Sequence, residues 1–172
     1  VVSEAELGVR IEVEETGDTF TDNARLKATA VMQATGLPAV ADDSGLCVDA
    51  LNGGPGVYSA RFGGEGLDDK GRYTLLLEML RGQTDRAAHF HTSIVCAFPN
   101  GDELVCEGEC PGTIAFAPMG EGGFGYDPVF FVPELRKTFG QLTAEEKASV
   151  SHRGKALRAF AAALDDYLKG NE

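Results

Sequence analysis

Residues 88 to 106 carry the strongest folding constraint in the chain. Phe90, Thr92, Ile94 and Cys96 alternate with His91, Ser93, Val95 and Ala97, the period-two pattern of a half-buried strand. Pro99-Asn100-Gly101-Asp102 then interrupts the run with turn chemistry, so the pattern predicts a hairpin whose return strand covers 104–106. Further short strands are expected over 112–117 and 129–132.

Helical periodicity surrounds this strand-rich centre. The spacing predicts a helix over 21–35, with Thr21, Asp22 and Asn23 as N-cap candidates, Ala24, Ala28 and Val31 on one face, and Gly36 and Pro38 as the stop. A second helix is expected over 68–81, with Tyr73, Leu76, Leu77 and Leu80 on its apolar face and Gly82 beyond it. The last helix begins at the N-cap Ser151 and shows Leu157, Phe160, Ala161, Leu164 and Leu168 as its stripe. Between the first two helices, an apolar run at 37–41 is broken by two aspartates, and a strand is expected to resume over 46–50. Residues 52–66 read as a glycine-rich loop. Helices, then strands, then a helix indicate a mixed α/β fold.

The 172 residues suffice for one compact domain, or for two small lobes sharing a core. A net charge of −12 argues against a nucleic-acid partner, because a phosphate backbone would be repelled by most of the surface. It leaves room for a small phosphorylated ligand held by a local basic cluster. Four cysteines without zinc-type spacing read as reduced thiols, and no apolar run is long enough to span a bilayer. A cytoplasmic protein with no membrane partner is the expectation.

Four segments can carry chemistry. Asp42-Asp43-Ser44-Gly45 places two carboxylates at a predicted strand end, where a divalent cation and an attacking water can be held. The same tetrapeptide is also ordinary turn chemistry. Glu12, Glu14 and Glu15 precede Gly17, and a cation between Asp43 and either Glu14 or Glu15 would have sensible oxygen ligands. Alone, such a run is a solvated face. The glycine-rich stretch 120–128 sets Phe124 and Tyr126 as stacking surfaces beside Gly125 and Asp127, a combination suited to a planar base. Lys147, His152, Arg153 and Lys155 gather positive charge around the start of the last helix, where cations add nothing to stability and suit an anionic ligand.

Together these segments resemble the inosine triphosphate pyrophosphatase family, the dITP/XTP pyrophosphatases of the Ham1/RdgB type. The resemblance rests on Glu15-Thr16-Gly17, Asn23-Ala24 and Lys27, on Ala41-Asp42-Asp43-Ser44-Gly45-Leu46, and on Pro55-Gly56-Val57-Tyr58-Ser59-Ala60-Arg61. It continues through Gly122-Gly123-Phe124-Gly125-Tyr126-Asp127-Pro128, Glu146-Lys147 and Ser151-His152-Arg153-Gly154. It implies an elongated two-lobed α/β domain over 1–172 with the nucleotide in the cleft between lobes, a homodimer, and Mg2+ as cofactor. The implied substrates are ITP, dITP and XTP, cut to monophosphate and pyrophosphate. Asp43 would be proton acceptor and metal ligand with Asp42 beside it, and Glu14 or Glu15 the second metal ligand. Ser44, Phe124, Gly125, Tyr126, Asp127, Lys147, His152, Arg153 and Lys27 would bind substrate.

Two features depart from the family pattern. The chain opens at Val1 without the strand and Thr-Gly-Asn-x-x-Lys loop that grip the triphosphate, and Arg72 stands where asparagine is more usual. The first keeps open a nucleotide-binding protein with little turnover. A pyrophosphatase of the Maf type, acting on another nucleotide, is the third reading.

Overall fold

A computed structural model describes residues 1–170. In chain order the main elements are α1 (Phe20–Thr35), β1 (Ala39–Val48), α2 (Asp69–Met79), β2 (Ala87–Ala97), β3 (Glu103–Ile114), β4 (Phe130–Val132), β5 (Lys137–Thr138), α3 (Ala144–Val150) and α4 (His152–Gly170). The strands form one five-stranded sheet ordered β1-β2-β3-β4-β5. β4 pairs antiparallel with both neighbours, Phe131 standing opposite Thr113 on one side and Thr138 on the other. The fold is mixed α/β, as the periodicity predicts.

Two compact units divide the chain. The first comprises Val1–Asp43, Thr92–Glu107 and the described chain from Ala156; the second comprises Ser44–His91 and Gly108–Lys155.

In the first unit, Ala24 and Ala28 of α1 pack on Val95 and Ala97 of β2, all buried, with Met32 and Ala41 alongside. Small residues on the helix face let it sit close to the sheet. Arg25 then ties α1 to β3 through a forked pair with Glu103, Nε to Oε2 and Nη2 to Oε1, both 2.9 Å. The expected hairpin is present, with Gly101 at φ 94° donating its N–H to Phe98 O at 3.0 Å. Tyr167 of α4 covers it, its ring 4.3 Å from that of Phe98 and its hydroxyl donating to Asp102.

In the second unit the core is larger and aromatic. Leu46, Val48, Leu76, Leu80, Val129 and Val132 surround Phe90, Phe130 and Phe139. Phe130 meets Phe90 edge-on at 4.6 Å and Phe139 at 4.9 Å, the arrangement that ring quadrupoles favour. Arg86 is buried here and spends its donors on three carbonyls, those of Ile114, Leu80 and Ala115.

Six expectations need correction. The strands expected over 104–106 and 112–117 are a single strand, since β3 runs unbroken from Glu103 to Ile114 and 115–117 lie beyond it. The aspartates do not break the strand: β1 runs unbroken through Asp42 and Asp43, while Asp49 and Ala50 belong to a 3-10 turn, Asp49–Leu51. A strand tolerates Asp43 because its groups are satisfied: Thr92 Oγ1 donates to its carbonyl at 3.2 Å. The cap of α1 is Thr19, whose hydroxyl accepts from Asp22 N, so Asn23 is free for a tertiary role inside the helix. The loop 52–66 contains a six-residue 3-10 helix, Gly56–Arg61. The seven-residue α3, opened by a Thr143–Glu146 capping box, has no counterpart in the periodic reading. On α4 the buried positions are His152 and Ala156, followed by the half-buried Phe160, Ala163, Leu164 and Tyr167; Leu157, Ala161 and Leu168 are exposed.

Candidate active site

In the second unit, a pocket of about 300 Å³ gathers Ser44, Phe124, Gly125, Tyr126, Asp127, Lys147, His152 and Arg153 among its walls. These are all the substrate-binding residues expected from sequence except Lys27. The loop before the 3-10 turn Asp127–Val129 is held by its own acid: Asp127 Oδ2 accepts from Phe124 N at 3.1 Å and from Lys147 Nζ at 2.5 Å. Asp127 is only 3% exposed, so its charge is committed to these two donors and it acts as the anchor of the loop. Gly123 makes the turn possible. Its φ is +74°, and a Cβ there would lie 1.9 Å from Asp127 Oδ2.

The anchoring leaves Phe124 outside. Its ring is 62% exposed, with Lys147 Nζ 4.7 Å and the Arg153 guanidinium 5.6 Å from its centroid. Tyr126 goes the other way. It is buried, its hydroxyl donates to Ser59 O at 2.7 Å, and burial pushes its ionisation well above the ordinary tyrosine range. His152 lies flat against Phe90, ring centroids 4.8 Å apart at 12°, which fixes the start of α4. Ser151 caps that helix as expected, accepting from Gly154 N at 3.0 Å.

Seven further residues line the pocket: Gly45, Ser59, Ala60 and Ser151 lie in the segments that carry the resemblance, whereas Asp69, Arg72 and Phe90 are not assigned to a site from sequence. Ser59 Oγ accepts from Leu46 N and donates to Gly56 O, tying the 3-10 helix to β1. Asp69 accepts from Gly125 N at 2.8 Å. Arg72 contributes a buried Nε with no hydrogen-bond partner among the described residues. The one available signal was the arginine itself, an unusual residue at its position.

The first unit holds a second constellation. Asp43 is 9% exposed, and its carboxylate accepts from Asn23 Nδ2 and Lys27 Nζ, each at 3.3 Å. Lys27 Nζ also lies 3.4 Å from Glu15 Oε1, so the ammonium bridges the two acids. Burial, the larger effect, raises the Asp43 carboxyl above its ordinary range; Lys27 opposes it and Glu15 adds to it. Asn23 also accepts from Gly17 N at 2.8 Å, fastening the acidic segment to α1.

Glu14 is exposed, whereas Glu15 is half-buried and alternates with it along the chain. Asp42, half-buried, lines a broad depression with Glu15 and Lys27. The expected metal set is therefore brought together in part: Asp43 and Glu15 share a cation, the lysine, and Glu14 stands apart from that pairing. Carboxylate oxygens around a place already occupied by positive charge are the donor type that magnesium takes.

Comparison with known proteins gives a consistent answer. The model of the Ham1 family matches residues 1–163. The dITP/XTP pyrophosphatase of an Exiguobacterium species is 52% identical over 159 residues, covering 92% of this chain and 81% of that one. That of Thermus thermophilus is 54% identical over 164 residues, covering 94% and 78%. Among solved structures, the Staphylococcus aureus Ham1 protein superimposes with a TM-score of 0.90 at 44% identity, over 99% of this chain and 87% of that one. A HAM1 protein from Coxiella burnetii gives 0.90 at 43%, over 95% and 84%. Matches of this extent place the chain in the Ham1 family.

Proposed function

We propose that this protein hydrolyses deaminated purine nucleoside triphosphates, ITP, dITP and XTP, to the monophosphate and pyrophosphate. The observation that carries the reading is the pocket of the second unit. An exposed aromatic ring, two cations over it and the rigid ring of His152 converge on one concave wall. Phe124 stacks on the purine, while Arg153 and His152 present donors to its 6-oxo group. Arg72 adds a buried donor that a base carbonyl can satisfy. Adenine offers an amino group where these donors need an acceptor, and the mismatch leaves them unpaired.

Hydrolysis requires a base, and Asp43 fits that role. A carboxyl raised by burial holds a proton more tightly than an ordinary aspartate, so it takes one from water more effectively. Water attacks the α-phosphorus, Asp43 accepts its proton, the α–β bridging bond breaks, and pyrophosphate leaves with that bond's electron pair. Asn23 holds the carboxylate in place through its Nδ2. Mg2+, held by Asp43 with Glu14 or Glu15, would neutralise charge on the phosphates. Asp42 supports the same acidic edge, and Ser44 and Lys147 contact the substrate.

A homodimer in the cytoplasm completes the reading. The four cysteines are free thiols, which suits a reducing compartment. Among the described residues no helix is long and apolar enough to cross a membrane.

Pyrophosphate release from ITP, dITP, XTP, ATP, GTP and dTTP, with and without Mg2+, tests the proposal. ITP, dITP and XTP should turn over only with the metal, and ATP and dTTP about a hundredfold or more slowly. Equal rates on ATP and ITP would overturn the specificity. Binding of ITP without release would leave a nucleotide-binding protein.

A further inference from the structure

The nucleotide reading leaves one group of ligating side chains unused. His89 and His91 lie two residues apart on β2 and so project from the same face, while Ala88 and Phe90 between and beside them are buried in the aromatic core. On β3, the neighbouring strand, the exposed Glu109 follows the same rule, with Gly108 and Cys110 buried on either side. Glu109 Oε1 lies 2.9 Å from His91 Nδ1 and 4.0 Å from His89 Nε2. Among the described residues this is the one group of three histidine, cysteine or acidic side chains whose ligand atoms all fall within 4.8 Å of one another.

We propose that His89, His91 and Glu109 form a binding site for a single zinc-class cation on the outward face of β2 and β3. Zinc bonds of about 2.0–2.2 Å in tetrahedral geometry put neighbouring ligand atoms roughly 3.3 Å apart. The separations of 2.9 and 4.0 Å bracket that value, and the two imidazole ligand atoms lie within 4.8 Å of each other. Two imidazole nitrogens and one carboxylate oxygen suit zinc, whereas magnesium prefers oxygen alone. Three protein ligands leave the remaining position to water. None of the three lines the nucleotide pocket, so the site stands independently of the proposed activity. Only Phe90, between the two histidines, belongs to that wall. A cation here clips β2 to β3 from behind it.

The chain contains three histidines, His89, His91 and His152, which makes the test direct. The full chain, in buffer containing Mg2+, is titrated with ZnCl2 while the imidazole 15N–1H signals are followed. Signals of His89 and His91 should shift and saturate at one equivalent, and those of His152, stacked on Phe90, should stay. Glu109→Gln should weaken the zinc dependence by about tenfold or more. His89→Ala should remove the His91 response. Both altered side chains face solvent, and an unchanged His152 signal reports that the fold is intact. Histidine signals that ignore excess zinc would overturn the proposal. So would an affinity unaltered by both variants, which would assign the zinc to thiols or to the carboxylates around Asp43.

Discussion

Lys147 and Asp127 form the least exposed ion pair of the pocket: Nζ and Oδ2 are 2.5 Å apart, and the two side chains are 22% and 4% exposed. The pair joins α3 to the loop that carries Phe124, so it supports both the fold of that loop and the charge that a nucleotide would meet. Removing one member strands the other. Lys147→Met is expected to cost about 3–5 kcal/mol of stability, because Asp127 is left charged and buried. Urea denaturation at neutral pH measures this.

Asp43→Asn should lower kcat by about 10²–10⁴-fold with little change in KM, since the amide keeps the shape and loses the base. The pH profile carries a second expectation. Burial raises the Asp43 carboxyl, so the basic form is populated only above the ordinary aspartate range, and activity should rise with pH through that elevated value. Lys27 pulls in the opposite direction. Lys27→Met should therefore move the acid limb to higher pH; a limb that moves lower would contradict the assignment.

Phe124 is an exposed ring that packs little of the core, and its replacement separates recognition from stability. Phe124→Ala should weaken ITP binding by about 1–3 kcal/mol, the worth of one base–aromatic stack. Thermal stability should change by no more than about 0.5 kcal/mol. Phe124→Trp should restore most of the affinity. A full KM with the alanine variant would move the base elsewhere.

The four thiols give an expectation at high pH. Burial, with the charges of Glu109 and Asp49 behind it, pushes the Cys47 thiol up to about 11. The unfolded chain ionises this group first, so between about pH 9 and 11 it holds fewer protons than the native state. Stability should therefore fall as pH rises through that window. Cys47→Ala should flatten the slope, and alkylation of Cys47 at pH 8 should be slow.

Much of this was legible in the sequence, and for local reasons. The hairpin at Asn100-Gly101, the end of α1 at Gly36 and the cap at Ser151 depend on backbone chemistry that neighbouring residues specify. The pocket was legible because its glycines and aromatics lie within one short stretch. The path of β1 was not. Two consecutive aspartates read as a turn until Asn23, Lys27 and Thr92, from α1 and β2, are seen to satisfy the second of them. Asp69 and Arg72 escaped for a similar reason, since α2 reads as an ordinary amphipathic helix and nothing in its period marks a pocket wall. The preference for Glu15 at the Lys27 bridge likewise follows from side-chain alternation rather than from composition.

The alternation of β2 has a consequence for how such a chain can change over generations. Phe90 on one face and His89 and His91 on the other are inherited together but constrained apart. A substitution at either histidine leaves the aromatic wall as it was, and repacking around Phe90 leaves the imidazoles where they are. Lineages can acquire or shed surface chemistry along this strand without passing through a form whose pocket is damaged.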